Sequence, residues 1–344
     1  MFLYGKQYTK EDLMKLTGNL SQLGGFHTST LTGGFADGTH TIQLDNGVLS
    51  LTLLPSRCLD IAHATYKGIP FGYISKSGIR HPSYFTEHKD RGFLDNFFGG
   101  FLTTSGLNNI GSSSESNGIS YGTHGTVSNI PAEHYNLNQH WEDDTLWFEI
   151  RAVMRFSRFY AEDIQMTRTI RTSLGSSEFF LQDELENLDF NPFPLFFLYH
   201  INLGFPFTSP ASRIVMPAME KCIPRTQHAA DTMNRMLSFE VPVSDAEESC
   251  YYCHFSDDTV CVSLENPELT DTGLRFSLTY PRAQFPVFTE WKMTRCKEYV
   301  CGFAPGTNYL EGRQSAFENE SIRYLQPMEK AIFTTRFSIE PMDI

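Results

Sequence analysis

The chain has 344 residues, 40% hydrophobic and 19% charged. That balance excludes a disordered segment or a coiled coil, and the length allows a sizeable core. Asp and Glu outnumber Lys and Arg by 40 to 27, a formal charge of −13, which argues against non-specific binding to nucleic acid or an anionic membrane.

The elements follow in chain order. Thr9 is placed to cap a short helix running to Leu20, with Glu11 and Asp12 in its first turn. Residues His40 to Leu54 read as two strands around Asp45-Asn46-Gly47, because both Asn and Gly accept the positive φ of a tight hairpin turn. A helical turn is expected from Arg91 to Phe98, and Ser105 to Asn138 is the least regular stretch, rich in Gly, Ser and Asn. Period-two alternation then predicts strands over Leu146–Phe156, Ile164–Thr172, Phe179–Asn187, Leu195–Leu203, Tyr251–Ser263, Leu274–Tyr280, Val287–Thr294 and Ile332–Ile339. In the last, Phe333, Thr335, Phe337 and Ile339 face one way and Ile332, Thr334, Arg336 and Ser338 the other.

Many short strands, 14% aromatic content and little helix indicate an all-β fold, a large antiparallel β-sandwich or barrel. No biased linker divides the chain, so residues 1–344 read as one domain. No leader-like start and no apolar run of about 18 residues is present, which predicts a cytoplasmic protein with no membrane partner. Seven scattered cysteines fit a reduced compartment.

Common chemical signatures are missing. There is no nucleophile elbow, Walker loop, dinucleotide fingerprint or His-Glu-x-x-His motif. Cys250-Tyr251-Tyr252-Cys253-His254 has the spacing of a haem-attachment site or half a zinc site, but it alternates like a strand and no second pair follows. Three segments concentrate polar residues instead. In Ser56–Ile61, Arg57 and Asp60 follow an apolar strand. Gly99–Asn109 is followed by Tyr121–Asn129, in which glycines stand on both sides of His124. In Leu198–Pro206, His200 and Asn202 share one strand face.

These segments resemble the aldose 1-epimerase-like family of the galactose mutarotase superfamily, in a bacterial branch. The resemblance spans nearly the whole chain. It runs through Leu54-Pro55-Ser56-Arg57-Cys58-Leu59-Asp60, Gly99-Gly100-Phe101, Gly122-Thr123-His124-Gly125, Thr167-Arg168, Tyr199-His200-Ile201-Asn202, Trp291-Lys292 and Gly302-Phe303-Ala304-Pro305. No one motif is specific; the ordered set is. It implies a β-sandwich with a sugar site on a concave face, and reversible opening of a pyranose ring by proton transfer at the anomeric centre. It implies no cofactor or metal, a small-molecule carbohydrate as partner, and edge strands that would allow a homodimer.

By resemblance, His200 would be the acid and His124 would hydrogen-bond the sugar. Arg57, Asp60, Asn108, Asn202 and Lys292 would be hydroxyl partners, and Trp291 or Tyr199 a stacking surface. The family's base is a glutamate before a proline, and here that position is Ala304. Three alternatives stand open: Glu311 supplies the carboxylate, Glu290 does, or the chain binds a sugar with the base lost. A lyase or hydrolase on the same fold is a further reading, because a fold does not fix a reaction.

Overall fold

The computed structural model describes residues 1–342. Two antiparallel sheets carry the fold. The larger has eleven strands. Its spatial order is Met219–Pro224, Ser249–Phe255, Val287–Arg295, Glu298–Gly306, Phe196–Gly204, Leu102–Leu107, Asp60–Tyr66, Leu49–Leu54, His40–Asp45 and Gly25–Thr30, with Ile69–Pro70 paired to Asp60–Tyr66. The second has eight strands, in the order Ala132–Glu142, Thr145–Ser157, Asp163–Ser173, Glu178–Asn187, Lys330–Pro341, Leu274–Pro281, Thr259–Asn266 and Arg213–Val215.

The sheets pack because each strand offers one apolar row. Leu146, Phe148, Ile150, Ala152 and Met154 face inward from one strand of the smaller sheet, and Phe197, Tyr199, Ile201 and Leu203 face them from the larger. Phe101 meets Phe337 with ring centroids 5.3 Å apart, and Phe197 meets Phe333 at 4.7 Å. A charged network is sealed into this core. Arg168 donates to Asp183 at 2.7 Å, Asp60 at 3.0 Å and Thr104 at 2.8 Å, and the Tyr199 hydroxyl donates to Asp183 at 2.6 Å. It joins the sheets, since Asp60 and Tyr199 belong to the larger and Arg168 and Asp183 to the smaller.

The Asn46-Gly47 turn forms as expected, with Asn46 Oδ1 accepting from the amides of Val48 and Leu49. Thr9 caps a helix that stops earlier, at Lys10–Leu16, and the expected turn at 91–98 is the helix Lys89–Asn96. The strand expected over Tyr251–Ser263 is two strands, Ser249–Phe255 and Thr259–Asn266, in different sheets. The irregular stretch 105–138 takes in the end of the strand Leu102–Leu107 and the start of the edge strand Ala132–Glu142. No helix among the described residues is long and apolar enough to cross a membrane.

Candidate active site

The outer face of the larger sheet carries the site, and its rows follow from strand register. Thr103 pairs with His200. The pairing of Leu198 with Gly306 and of Ile201 with Phe303 puts Ala304 directly opposite His200. Ala304 pairs with Thr289, Thr289 with Tyr252, and Tyr252 with Ile223. Opposed residues share a face, so Thr103, His200, Ala304, Thr289 and Tyr252 form one row. The next row is Asn202, Gly302, Trp291 and Cys250.

His200 is 7% exposed. Its ring stands edge-on to Trp291 at 5.5 Å, to His124 at 5.5 Å and to Phe97 at 5.4 Å. Gly302 makes this possible. A Cβ there would lie 2.9 Å from the Trp291 ring and 3.3 Å from His200 Cε1. His200 Nδ1 is enclosed without a partner, as is Asn202 Oδ1 beside it. Burial pulls the His200 imidazole down to about 4, against a smaller opposing effect of the Asn202 carboxamide, which leaves it neutral at pH 7.

His124 arrives from a loop, in a left-handed conformation with φ of 58°. Its amide donates to Gly111 O at 2.8 Å, and Phe93 packs on its ring at 4.7 Å. Burial, then His200, then Arg225 push its imidazole well below the usual histidine range. Gly111 forms a β-bridge with Glu311, and its φ of +71° and the 2.1 Å left between a would-be Cβ and Leu310 O both require glycine. One glycine thus joins the His124 loop to the Glu311 loop.

Glu311 reaches the site face. Its Oε1 accepts from the Tyr252 hydroxyl at 2.5 Å and from Arg225 Nε at 3.2 Å. Arg225 also donates to Ser112 Oγ at 2.7 Å and Leu310 O at 3.1 Å, tying both loops to the sheet edge. Tyr309 packs against Tyr252 at 4.8 Å and hydrogen-bonds His254 Nε2 at 2.8 Å. Arg225, Tyr252 and Tyr309 were not expected from the sequence. Their roles come from contacts 55–86 residues apart along the chain, and nothing local marks them.

The other expected residues are differently employed. Asp60 and Arg57 brace the His124 loop from below. Asp60 accepts from Ser128 Oγ at 2.8 Å and from Thr104, while Arg57 donates to Ser128 O, Asn129 Oδ1, Arg80 O and Asn96 O at about 3.2 Å. Asn108 gives its carbonyl to Arg313 at 2.9 Å and lines a separate cavity of about 460 Å³. Tyr199 points into the core.

Glu290 and Lys292 alternate with Trp291 and so face the core side, away from His200. Lys292 Nζ donates to the carbonyls of Arg235, Met236 and Ser238 at 2.7–3.1 Å. Glu290 is fully buried with neither carboxyl oxygen partnered, and burial pushes it up to about 8. Cys250 and Cys253 of the Cys-x-x-Cys-His segment likewise lie on opposite faces of their strand.

The fold is the one seen in galactose mutarotase-like proteins. The chain matches the family described as "Domain of unknown function (DUF4432)" over residues 36–339 and belongs to it. Among solved structures it is similar to a protein of Klebsiella pneumoniae subsp. pneumoniae MGH 78578 described as a presumed aldose 1-epimerase. The identity is 22%, 93% of this chain and 86% of that one are covered, and the TM-score is 0.85. It is also similar to a galactose mutarotase-like protein of Clostridium acetobutylicum (14% identity, 93% and 100% covered, TM-score 0.65). A third is a galactose 1-epimerase of Lactobacillus acidophilus NCFM (10% identity, 92% and 99% covered, TM-score 0.58). At these identities the likeness is one of fold. No curated protein matches the chain.

Proposed function

We propose that the chain is an aldose 1-epimerase-like isomerase that interconverts the anomers of a hexose or related sugar, with His200 as acid and Glu311 as base. The observation that carries this reading is one row of the sheet. His200 faces Ala304 across the strand pair, and the same row ends at Tyr252, whose hydroxyl holds Glu311 at 2.5 Å. In this reading the base is not at position 304 but is Glu311, delivered by the loop that follows and held by Tyr252, three strands from His200 along that row.

The chemistry needs only protons. Glu311 takes the proton of the anomeric hydroxyl, the bond between the anomeric carbon and the ring oxygen breaks, and His200 protonates that oxygen. The open aldehyde turns about its first carbon–carbon bond, and the reverse transfers close the other anomer. Arg225 and Tyr252 fix the Glu311 carboxylate, His124 and Asn202 offer hydrogen bonds to hydroxyls, and Trp291 offers a face for the apolar side of the ring. The substrate is a free carbohydrate and no cofactor takes part.

A second reading has a specific observation behind it. With Ala304 opposite His200, the site would bind a sugar without exchanging its anomers. Saturation-transfer NMR on the anomeric protons of a panel of neutral, phosphorylated and acidic sugars separates the two. Exchange faster than the spontaneous rate for at least one sugar supports the isomerase. Line broadening with unchanged exchange supports the binder.

A further inference from the structure

On the core side of the same sheet edge, the face opposite the chemistry above, Cys222 meets two methionines beside a second cysteine. Cys222 and Cys253 are cross-strand partners. Cys222 Sγ lies 3.7 Å from Met236 Sδ and 3.9 Å from Met233 Sδ. Four sulfurs around one cation at about 2.3 Å stand about 3.8 Å apart on the edges of a tetrahedron, and the two contacts of Cys222 match that edge.

Two contrasts separate the cluster from ordinary sulfur packing. Cys58 also contacts one methionine, Met166, at 3.7 Å, but both are sealed in the core. At Cys222 two thioethers meet one thiol, and Cys222, Met233 and Met236 open into a cavity of about 330 Å³ shared with Met219, Asn234, Leu237 and Ser238, which gives an entry path. The segment bearing the methionines is also held in place. The three carbonyl bonds of Lys292 fall on Arg235, Met236 and Ser238.

We propose that Cys222, Met233 and Met236, with Cys253 beneath them, form a binding site for a soft monovalent cation of the Cu(I) class. Mixed thiolate and thioether donors select Cu(I) over harder ions of similar size. Binding releases the thiol protons to solvent and involves no change of oxidation state. Two of the four donors are methionines, which is why the site does not stand out as a cluster of His, Cys, Asp or Glu; the described residues contain no such group of three.

The test uses the full chain with the exposed Cys261 and Cys296 changed to Ser and all thiols reduced. Cu(I) is supplied as its bis-bicinchoninate complex, and loss of the visible band reports transfer to protein. One equivalent is expected to transfer. Cys222→Ser, and separately Met233→Leu with Met236→Leu, should each weaken uptake about tenfold or more, with circular dichroism unchanged. The methionine pair is the decisive variant, because Met→Leu preserves volume and is tolerated in cores. The site is refuted by no transfer to the parent protein. Transfer unaffected by Cys222→Ser, or by loss of both methionines, refutes it as well.

Discussion

His200 stands directly across the strand pair from Ala304, whose methyl group is buried in an apolar cluster. Between Ala304 and Tyr252 lies only Thr289, whose buried hydroxyl has no partner. The proposed carboxylate is thus held by Tyr252 and Arg225, two strands from Ala304 along the same row.

That arrangement predicts opposite outcomes for two substitutions. Glu311→Gln keeps shape and hydrogen bonds but removes the base, and should lower the anomer exchange rate by roughly 10²–10⁴-fold. Ala304→Glu should give no gain, because Ala304 is packed among Leu198, Tyr252, Val287 and Leu310 and a larger side chain strains that cluster. A sugar that exchanges faster with the Ala304→Glu variant than with the wild type would instead show that the base had been lost.

The pH dependence follows from burial of His200. In the free protein its imidazole titrates at about 4, and kcat/KM reports free-enzyme groups. If protonated His200 is the acid, kcat/KM falls as pH rises from 5 to 8, approaching tenfold per unit. A profile that is flat from pH 5 to 8 would reassign His200 as a neutral hydrogen-bond donor.

Much of this was legible in the sequence where a strand has one wet and one dry face. Leu146–Phe156 and Ile332–Ile339 alternate clearly, and both lie within observed strands. Ala132–Glu142 was not legible, because an edge strand exposed on both faces carries no apolar alternation. The polar run Ser256-Asp257-Asp258 is a turn signal between two alternating segments, and the chain changes sheets there. His200 and Asn202 were found because a shared strand face is a local property. Which face is the site and which the core is not local, so Glu290, Trp291 and Lys292 could not be sorted before the sheets were stacked. Arg225 and Tyr252 depend on loops that meet only in three dimensions.

Glu290 predicts a stability change with a definite sign. Its carboxyl is raised by burial from the ordinary 4.5 to about 8, so the unfolded chain ionises first as pH rises. The stability of the neutral form is fully present below about 4.5 and is lost as pH climbs through 8. Glu290→Gln should match the wild type near pH 4.5 and exceed it at pH 8.5 by roughly 2–4 kcal/mol. Urea midpoints at the two values check this; equal midpoints at pH 8.5 would mean that Glu290 finds a partner when ionised.

The sealed network predicts a large loss. Arg168→Ala leaves Asp60 and Asp183 buried without their cation, and breaking such a pair costs roughly 3–5 kcal/mol. Arg168→Met combined with Asp60→Asn and Asp183→Asn should recover part of it, since no uncompensated carboxylate remains. Denaturant unfolding measures both. A loss below about 1 kcal/mol in the single variant would mean that water reaches the network.

The most direct measurement is saturation transfer between the anomers of the best sugar, with wild type, His200→Ala and Glu311→Gln at equal concentration and confirmed fold. The account predicts exchange well above the spontaneous rate for the wild type and a return toward that rate in both variants. Wild-type exchange at the spontaneous rate for every sugar, or accelerated exchange that survives His200→Ala, would contradict it.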